Sequence, residues 1–365
     1  MKNQPEKPMQ EKRQVSPAER AMLFARATRQ NMIRLASQAF QENNTITFNV
    51  PKTRYLSRVL MNVQGTFRVT HALNATFLPA AFAPYTAFNR VRCGINNGFN
   101  PFAISGRGLY WYNRTNKPFS SAMLAPSATA ADRPPCLLEN AAAVGGAVNK
   151  INFTIELPHV INQRDPVGLI LAQNEETIIT YALDCSALTA LMAAPAGFTI
   201  DQVAIQVTPL IETFSIPVVS DHRPDLSVIK LVHEMQQDFT GAGDVTVKIP
   251  PGLTFRKILW YVEDAVGVGV PDANLGDFTV IFNQADYPYV VSPSQLAFIN
   301  AMNYGGPMEP GLYCLDFTDQ GIPNLGGARD YVDTERLTEF WLRTTAQAAG
   351  RITLVYEMLT RMKGA

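Results

Sequence analysis

The chain has 365 residues, 47% hydrophobic and 17% charged, with a formal net charge of zero. That length fills one large domain or two ordinary ones, and the composition is that of a globular chain. The nearest approach to a membrane span, CSALTALMAAPAGFTI, is interrupted by Pro195 and spaced by polar residues, so no crossing of a membrane is expected.

The charge is uneven. Residues 1–41 hold eight Lys or Arg against three acids, leaving a mildly acidic remainder. Such an arm points to an anionic neighbour, whether lipid headgroups, nucleic acid or an acidic protein face, with a solvated tail as the plain alternative. MKNQPEKPMQEKRQ has no apolar run, so no secretory signal is expected there. The cysteines Cys93, Cys136, Cys185 and Cys314 are spaced as in no metal or redox motif. They read as scattered buried thiols, consistent with synthesis in a reducing cytoplasm.

The first predicted element is a helix over 16–40. Ser16 is an N-cap, Pro17 sits at N1 and Glu19 completes a capping box. Ala21, Phe24, Thr28, Met32, Leu35 and Ala36 then form an apolar stripe, with Arg20, Arg26 and Arg34 opposite and Arg29 intruding on the apolar side. Asn43-Asn44 ends it.

Strand-like runs follow: TITFNVP (45–51), RVLMNVQGTFRVTH (58–71), NATFLPA (74–80), FNRVRCGIN (88–96) and GRGLYWYNRT (106–115). After these come KINFTIELP (150–158), VGLILAQ (167–173), TIITYALD (177–184) and QVAIQVTPLIETFSIPVV (202–219). Residues 116–149, rich in Ala, Pro, Ser and Gly, read as a long surface insertion. SDHRPDLS (220–227) reads as a boundary. A second series runs from LSVIKLVHEM (226–235) through DVTVKIP, TFRKILWYVED, DFTVIFN, YPYVVS and GLYCLDF to TEFWLRTTAQ and RITLVYEML (351–359). Within it, SPSQLAFINAMNY (292–304) reads as a short capped helix. Crossover helices are largely missing, so two tandem antiparallel sandwiches are expected. The divisions are an arm at 1–42, a first sandwich at 43–219 and a second at 220–365.

No catalytic constellation emerges. His71, His159, His222 and His233 are dispersed, and HEMQQ at 233–237 lacks the second histidine of a zinc-protease helix. GVGV (267–270) and FTGAGD (239–244) read as turns rather than nucleotide loops. Asp221-His222 has no nucleophile to go with it. No catalytic residue, metal ligand or cofactor is assigned. Tyr110, Trp111 and Tyr112 are consecutive, so as a strand they cannot all face one core, and they are candidates for contact between subunits. Trp260-Tyr261 and Phe340-Trp341 raise the same question, with core packing the equal competitor.

In this order the elements resemble the double jelly-roll major capsid proteins of tectiviruses and related membrane-containing bacterial viruses. The resemblance is carried by the Gln/Arg/Ala-rich helix leading into NNTITFNVP, and by RVLMNVQGTFRVTHALNATFLPAAFAPYTAFNRVRCGINNG. EPGLYCLDFTDQGIPNLGG and the closing TEFWLRTTAQAAGRITLVYEMLTRM add to it. It implies two eight-stranded jelly rolls and a homotrimer forming a pseudo-hexagonal capsomer. It further implies an icosahedral bacteriophage shell over an internal membrane, with vertex (penton) and minor capsid proteins as partners and no specific nucleic acid. On that reading the chain is a virion structural protein, not an enzyme, and 116–149 forms a tower. Arg13, Arg20, Phe24, Arg26, Arg29, Met32, Arg34 and Leu35 of the arm then face lipid or a neighbouring capsomer. The rival readings are a β-sandwich carbohydrate-binding protein, which would need a carboxylate pair across an aromatic cleft, and a minor virion protein.

Overall fold

Alternation sets most of the elements. In residues 147–158, Asn149, Ile151, Phe153, Ile155 and Leu157 all turn inward while their neighbours turn out or lie half-buried, the signature of a strand with one covered face. The structure, a computed structural model, describes residues 17–72, 76–96, 98–116, 136–137, 146–161, 166–318 and 331–361. In chain order come helix α1 (Pro17–Ala27) and strands β1 (Gln30–Arg34), β2 (Gln38–Ala39), β3 (Thr45–Asn49), β4 (Tyr55–His71), β5 (Phe88–Ile95) and β6 (Phe99–Ile104). Helix α2 (Gly106–Arg114) follows, then β7 (Cys136–Leu137), β8 (Ala147–Pro158), β9 (Ile170–Leu171), β10 (Ile179–Cys185) and β11 (Phe198–Phe214). The second half holds β12 (Val228–Phe239), β13 (Gly243–Lys248), β14 (Thr254–Asp264), β15 (Phe278–Phe282), β16 (Asp286–Val291), helix α3 (Pro293–Asn303), β17 (Leu312–Asp316), β18 (Val332–Asp333), β19 (Phe340–Ala346) and β20 (Gly350–Arg361).

The second half closes an apolar core of its own, and the core of the first half extends across the seam to Val232, Leu259 and Val355. In the second half, the sheet β13-β19-β15-β16 faces the run β17-β14-β20-β12, and Val247, Phe278 and Leu342 meet Phe255, Trp260 and Leu354 between them. Here the first long strand lies beside the last, β12 on β20, and the second beside the last but one, β13 on β19. This nested winding is a jelly roll. In the first half, β1-β11-β4-β8-β7 faces β6-β5-β10-β3. The two halves join where β12 pairs in parallel with β6, Val232 opposite Phe102, making one continuous sheet across the molecule. Among the described residues the first half does not divide into two even fours.

Several elements differ from the sequence reading. The arm helix ends at Ala27 rather than near residue 40. Thr28 caps it by bonding the Phe24 carbonyl through both its N–H, at 3.0 Å, and its hydroxyl, at 2.8 Å. Beyond it, the edge of β11 offers a row of unpaired backbone groups. Residues 30–34 take them, in register from Gln30 opposite Phe214 to Arg34 opposite Leu210. A short isolated helix is marginal in water, so the ladder wins over helical periodicity. GRGLYWYNRT is helix α2, not a strand. NATFLPA forms no strand within its described residues, and VGLILAQ keeps only Ile170–Leu171. Of the segment 116–149, residues 117–135 and 138–145 lie outside the described residues, and Ala147 onward belongs to β8. The capped helix at 293–303 forms as read, with Ser292 and Gln295 making the reciprocal capping bonds.

Candidate functional site

The two jelly rolls meet on a helical wedge. Ser105 caps α2 by accepting from the Gly108 N–H at 3.0 Å, and its own N–H donates to Glu234 of β12 at 2.7 Å. Gly106 lies so close to the first half that a Cβ there would stand 2.1 Å from the Tyr85 carbonyl oxygen and 2.3 Å from that of Phe88. Gly108 lies as close to the second half, where a Cβ would meet Glu234 at 2.5 Å and Val355 at 2.9 Å. The two glycines let one helix touch both sandwiches.

Several of the side chains that α2 offers cross the seam. Arg107 pairs with Glu263 and lies over the rings of Phe82, Trp111 and Tyr261 at 5.3–5.6 Å. Tyr110 donates to Glu309. Arg114 donates to the carbonyls of Tyr304, Gly306 and Pro307 at 2.7, 3.2 and 3.1 Å. Tyr110, Trp111 and Tyr112 are all buried within one chain, which corrects the expectation that they reach a neighbouring subunit. A helix enclosed by two sandwiches can bury three consecutive rings, whereas a strand covered on one face cannot. Trp260, Tyr261 and Phe340 are likewise buried, and Trp341 is half-buried with the Lys248 ammonium 5.5 Å from its ring centre.

At the centre is a buried charge cluster that the sequence reading did not find. Glu357 of β20 pairs with Arg256 and accepts from the Tyr112 hydroxyl. Lys230 of β12 lies 3.1 Å from that hydroxyl, 3.9 Å from Glu357 and 2.9 Å from the Val160 carbonyl. Lys257 donates to the Thr115 carbonyl at 3.3 Å and to Asn116 at 3.1 Å, with Asp316 at 3.7 Å. Arg256 and Lys257 are sequence neighbours yet reach the same cluster, because the ladder with β20 slips by one residue between Phe255 and Lys257. Such a bulge re-aims a side chain.

Burial works against these charges. It would raise the Glu357 carboxyl, but Arg256, Lys230 and Lys257 outweigh it and hold the group at about 2. Burial brings the Lys230 ammonium down to about 7, only partly offset by Glu357. It also raises the Tyr112 phenol, with Glu357 adding to the effect. His159, beside Tyr181, falls to about 3 through burial and then through Lys230. The one cue in the sequence was charge inside apolar runs, in VIKLV, TFRKILW and LVYEML. A buried charge needs a partner, and these are partnered with each other.

The arm docks on its own chain. Phe24 is buried against Tyr55, Val160 and Leu169, with ring centres 6.2 Å from Tyr55 and 5.6 Å from Phe214. Leu35 is half-buried against the first core. Arg20 is half-buried, whereas Arg26, Arg29, Met32 and Arg34 are exposed. Arg13 lies outside the described residues. Among the described residues no group of three or more His, Cys, Asp or Glu could hold a metal ion. No helix among them is long and apolar enough to cross a membrane.

No protein-family model and no curated protein matches the sequence. Solved structures do. The chain is similar to the STIV MCP, from Sulfolobus Turreted Icosahedral Virus, with a TM-score of 0.65 at 14% identity over 91% of this chain and 97% of that one. It is similar to the Faustovirus major capsid protein, with a TM-score of 0.60 at 12% identity over 93% and 91%. It also matches the major capsid protein from bacteriophage PM2, with a TM-score of 0.55 at 9% identity over 92% and 98%. The fold is therefore a double jelly roll, as the sequence resemblance implied. Identities this low speak for the fold alone.

Proposed function

We propose that this chain is a major capsid protein. Three copies close into a pseudo-hexagonal capsomer, and capsomers tile an icosahedral shell in the virion over an internal membrane. One observation carries the reading: two jelly rolls stand side by side on one continuous sheet and a shared wedge. Three such chains present six near-equivalent walls, and closed symmetry hides their flanks. The whole-length likeness to major capsid proteins supports it. The wedge sets the angle between the walls, so the charge cluster is structural and the chain is not an enzyme. The remaining partners are vertex and minor capsid proteins, the site of synthesis is the host cytoplasm, and 116–149 forms a tower.

The arm's exposed arginines, Arg26, Arg29 and Arg34, face lipid phosphates or a neighbouring capsomer, each worth about 1 kcal/mol near an anionic surface. Arg13 and Arg20 add to the same charge. Light scattering on the purified protein tests the capsomer. A stable particle of three times 40.2 kDa is expected, and a monomer that binds sugar would favour the carbohydrate-binding rival.

A further inference from the structure

One corner of the charge cluster brings an amine, an amide and a carboxylate together. Lys257 of β14 is buried. Its Nζ donates to Oδ1 of Asn116, just past α2, at 3.1 Å and to the Thr115 carbonyl at 3.3 Å, and stands 3.7 Å from Oδ2 of Asp316 on β17. Oδ1 is bonded to Cγ, so the amine is within about 4.3 Å of the amide carbon. The amide nitrogen, Nδ2 of Asn116, is buried and has no hydrogen-bond partner among the described residues. An amide whose nitrogen is not held turns readily about χ2 and can present its carbon to a neighbour.

Asp316 is fixed beside the amine. Its Oδ2 accepts from the Tyr304 hydroxyl at 3.0 Å, and its Oδ1 accepts from the Thr318 hydroxyl and N–H at 2.6 and 2.9 Å. The centre of the Tyr112 ring is 5.9 Å from Nζ. Water kept out of such a site does not compete with the amine for the carbonyl carbon. Charge points the same way. Among the described residues, the ion pairs of the cluster join three cations, Lys230, Arg256 and Lys257, to two carboxylates, Glu357 and Asp316. A buried cation in excess is costly, and acylating Lys257 removes it.

We propose that Lys257 and Asn116 join in an isopeptide bond across the seam, with Asp316 carrying the proton. Asp316 takes one proton from the Lys257 ammonium, and the lone pair freed on Nζ attacks Cγ of Asn116. The Cγ–Nδ2 bond breaks with its electron pair on nitrogen. Nδ2 collects the proton held by Asp316 and the one that Nζ sheds on acylation, and leaves as ammonium. The departing ion carries the surplus charge out, leaving two cations with two carboxylates. The bond joins residues 141 apart in the chain and ties the end of the wedge helix to the second jelly roll. It forms once, within one chain, and does not depend on the shell-building role.

Mass spectrometry of the full-length protein, denatured before injection, tests the bond. The unaltered protein is expected to be one ammonia lighter than its sequence. Trypsin should leave Lys257 uncut and release a branched peptide joining it to the Asn116 segment. Lys257→Met and Asn116→Ala should each restore the full mass and linear peptides only. Asp316→Asn should slow the loss of ammonia about a hundredfold in freshly synthesised protein, and loss at the parental rate overturns the part given to Asp316. Full mass in the unaltered protein, with Lys257 cut by trypsin, overturns the proposal. Loss of ammonia with Lys257 still cut marks a succinimide at Asn116 and overturns it equally. If a variant does not fold, the branched peptide of the unaltered protein still decides. Light scattering on the same samples reads the oligomer separately, so failure of this bond and failure of the capsomer are distinguishable.

Discussion

The hydroxyl of Tyr112, on the wedge helix, donates to Oε2 of Glu357, 245 residues further along the chain. That bond ties the first jelly roll to a strand in the middle of the second. Glu357 is also the acceptor for Arg256 and lies near Lys230, so one carboxylate balances cations from two further strands. The seam between the halves is thus held by a buried polar network as well as by the rings around Arg107. Such a network specifies one relative placement, whereas apolar faces alone can slide.

Removing the acid should be costly. Glu357→Ala leaves Arg256 and Lys230 buried without their counter-charge, a loss of about 3–5 kcal/mol for a broken buried pair. Tyr112→Phe removes one hydrogen bond and should cost about 1–3 kcal/mol. Urea unfolding of both variants checks the order. A Glu357→Ala protein as stable as the parent would mean that the cluster does not hold the seam.

The same cluster sets a pH dependence. Glu357 is held below its ordinary value, so its contribution is complete above about 4.5 and is lost as pH falls towards about 2. Lys230 is lowered to about 7 from 10.5, so between those values the unfolded chain binds more protons and stability rises with pH. The urea midpoint of the parent minus that of Lys230→Met should therefore climb from pH 7 to pH 10. A flat difference would place Lys230 in a wetter site than its burial indicates.

The two glycines of the wedge should differ in tolerance. A Cβ at Gly106 meets backbone oxygens at 2.1 and 2.3 Å, which cannot move without moving the Tyr85–Phe88 turn. A Cβ at Gly108 meets side-chain atoms of Glu234 and Val355, which can turn aside. Overpacking of this kind costs about 1–3 kcal/mol. Gly106→Ala is expected near or above the upper end and Gly108→Ala near the lower, read as shifts in thermal midpoint.

The arm is anchored lightly and should open alone. Phe24 is its only fully buried side chain in α1 among those described. Phe24→Ala should speed tryptic cleavage at Arg26 and Arg29 at least tenfold and barely move global unfolding, because the arm opens independently of either core. Equal loss of both would make the arm part of the first core.

Deletion of residues 1–28 is the clean test of the arm's role in assembly. A longer deletion through residue 41 also strips β1 and β2 from the edge of β11 and removes the buried Phe40. The shorter deletion should leave trimers intact and lower the yield of particles. Unchanged particle yield would remove the arm from assembly.

What the sequence determined by itself is local and periodic. Alternation in 150–158 and the Ser292–Gln295 capping box each depend on residues a few positions apart, and each formed where it was read. Two strand-rich halves without crossover helices pointed to two tandem sandwiches, and the resemblance to double jelly-roll capsid proteins supplied their winding. Only the tertiary structure decided residues 30–34 and 106–114, whose short patterns suit either a helix or a strand until a partner is present. The free edge of β11 drew the first into a ladder, and the space between two sandwiches enclosed the second as a helix. The charge cluster was hidden for the same reason. Lys230, Arg256 and Glu357 stand in three strands far apart in sequence, and only their meeting around Tyr112 makes burial of their charge tolerable.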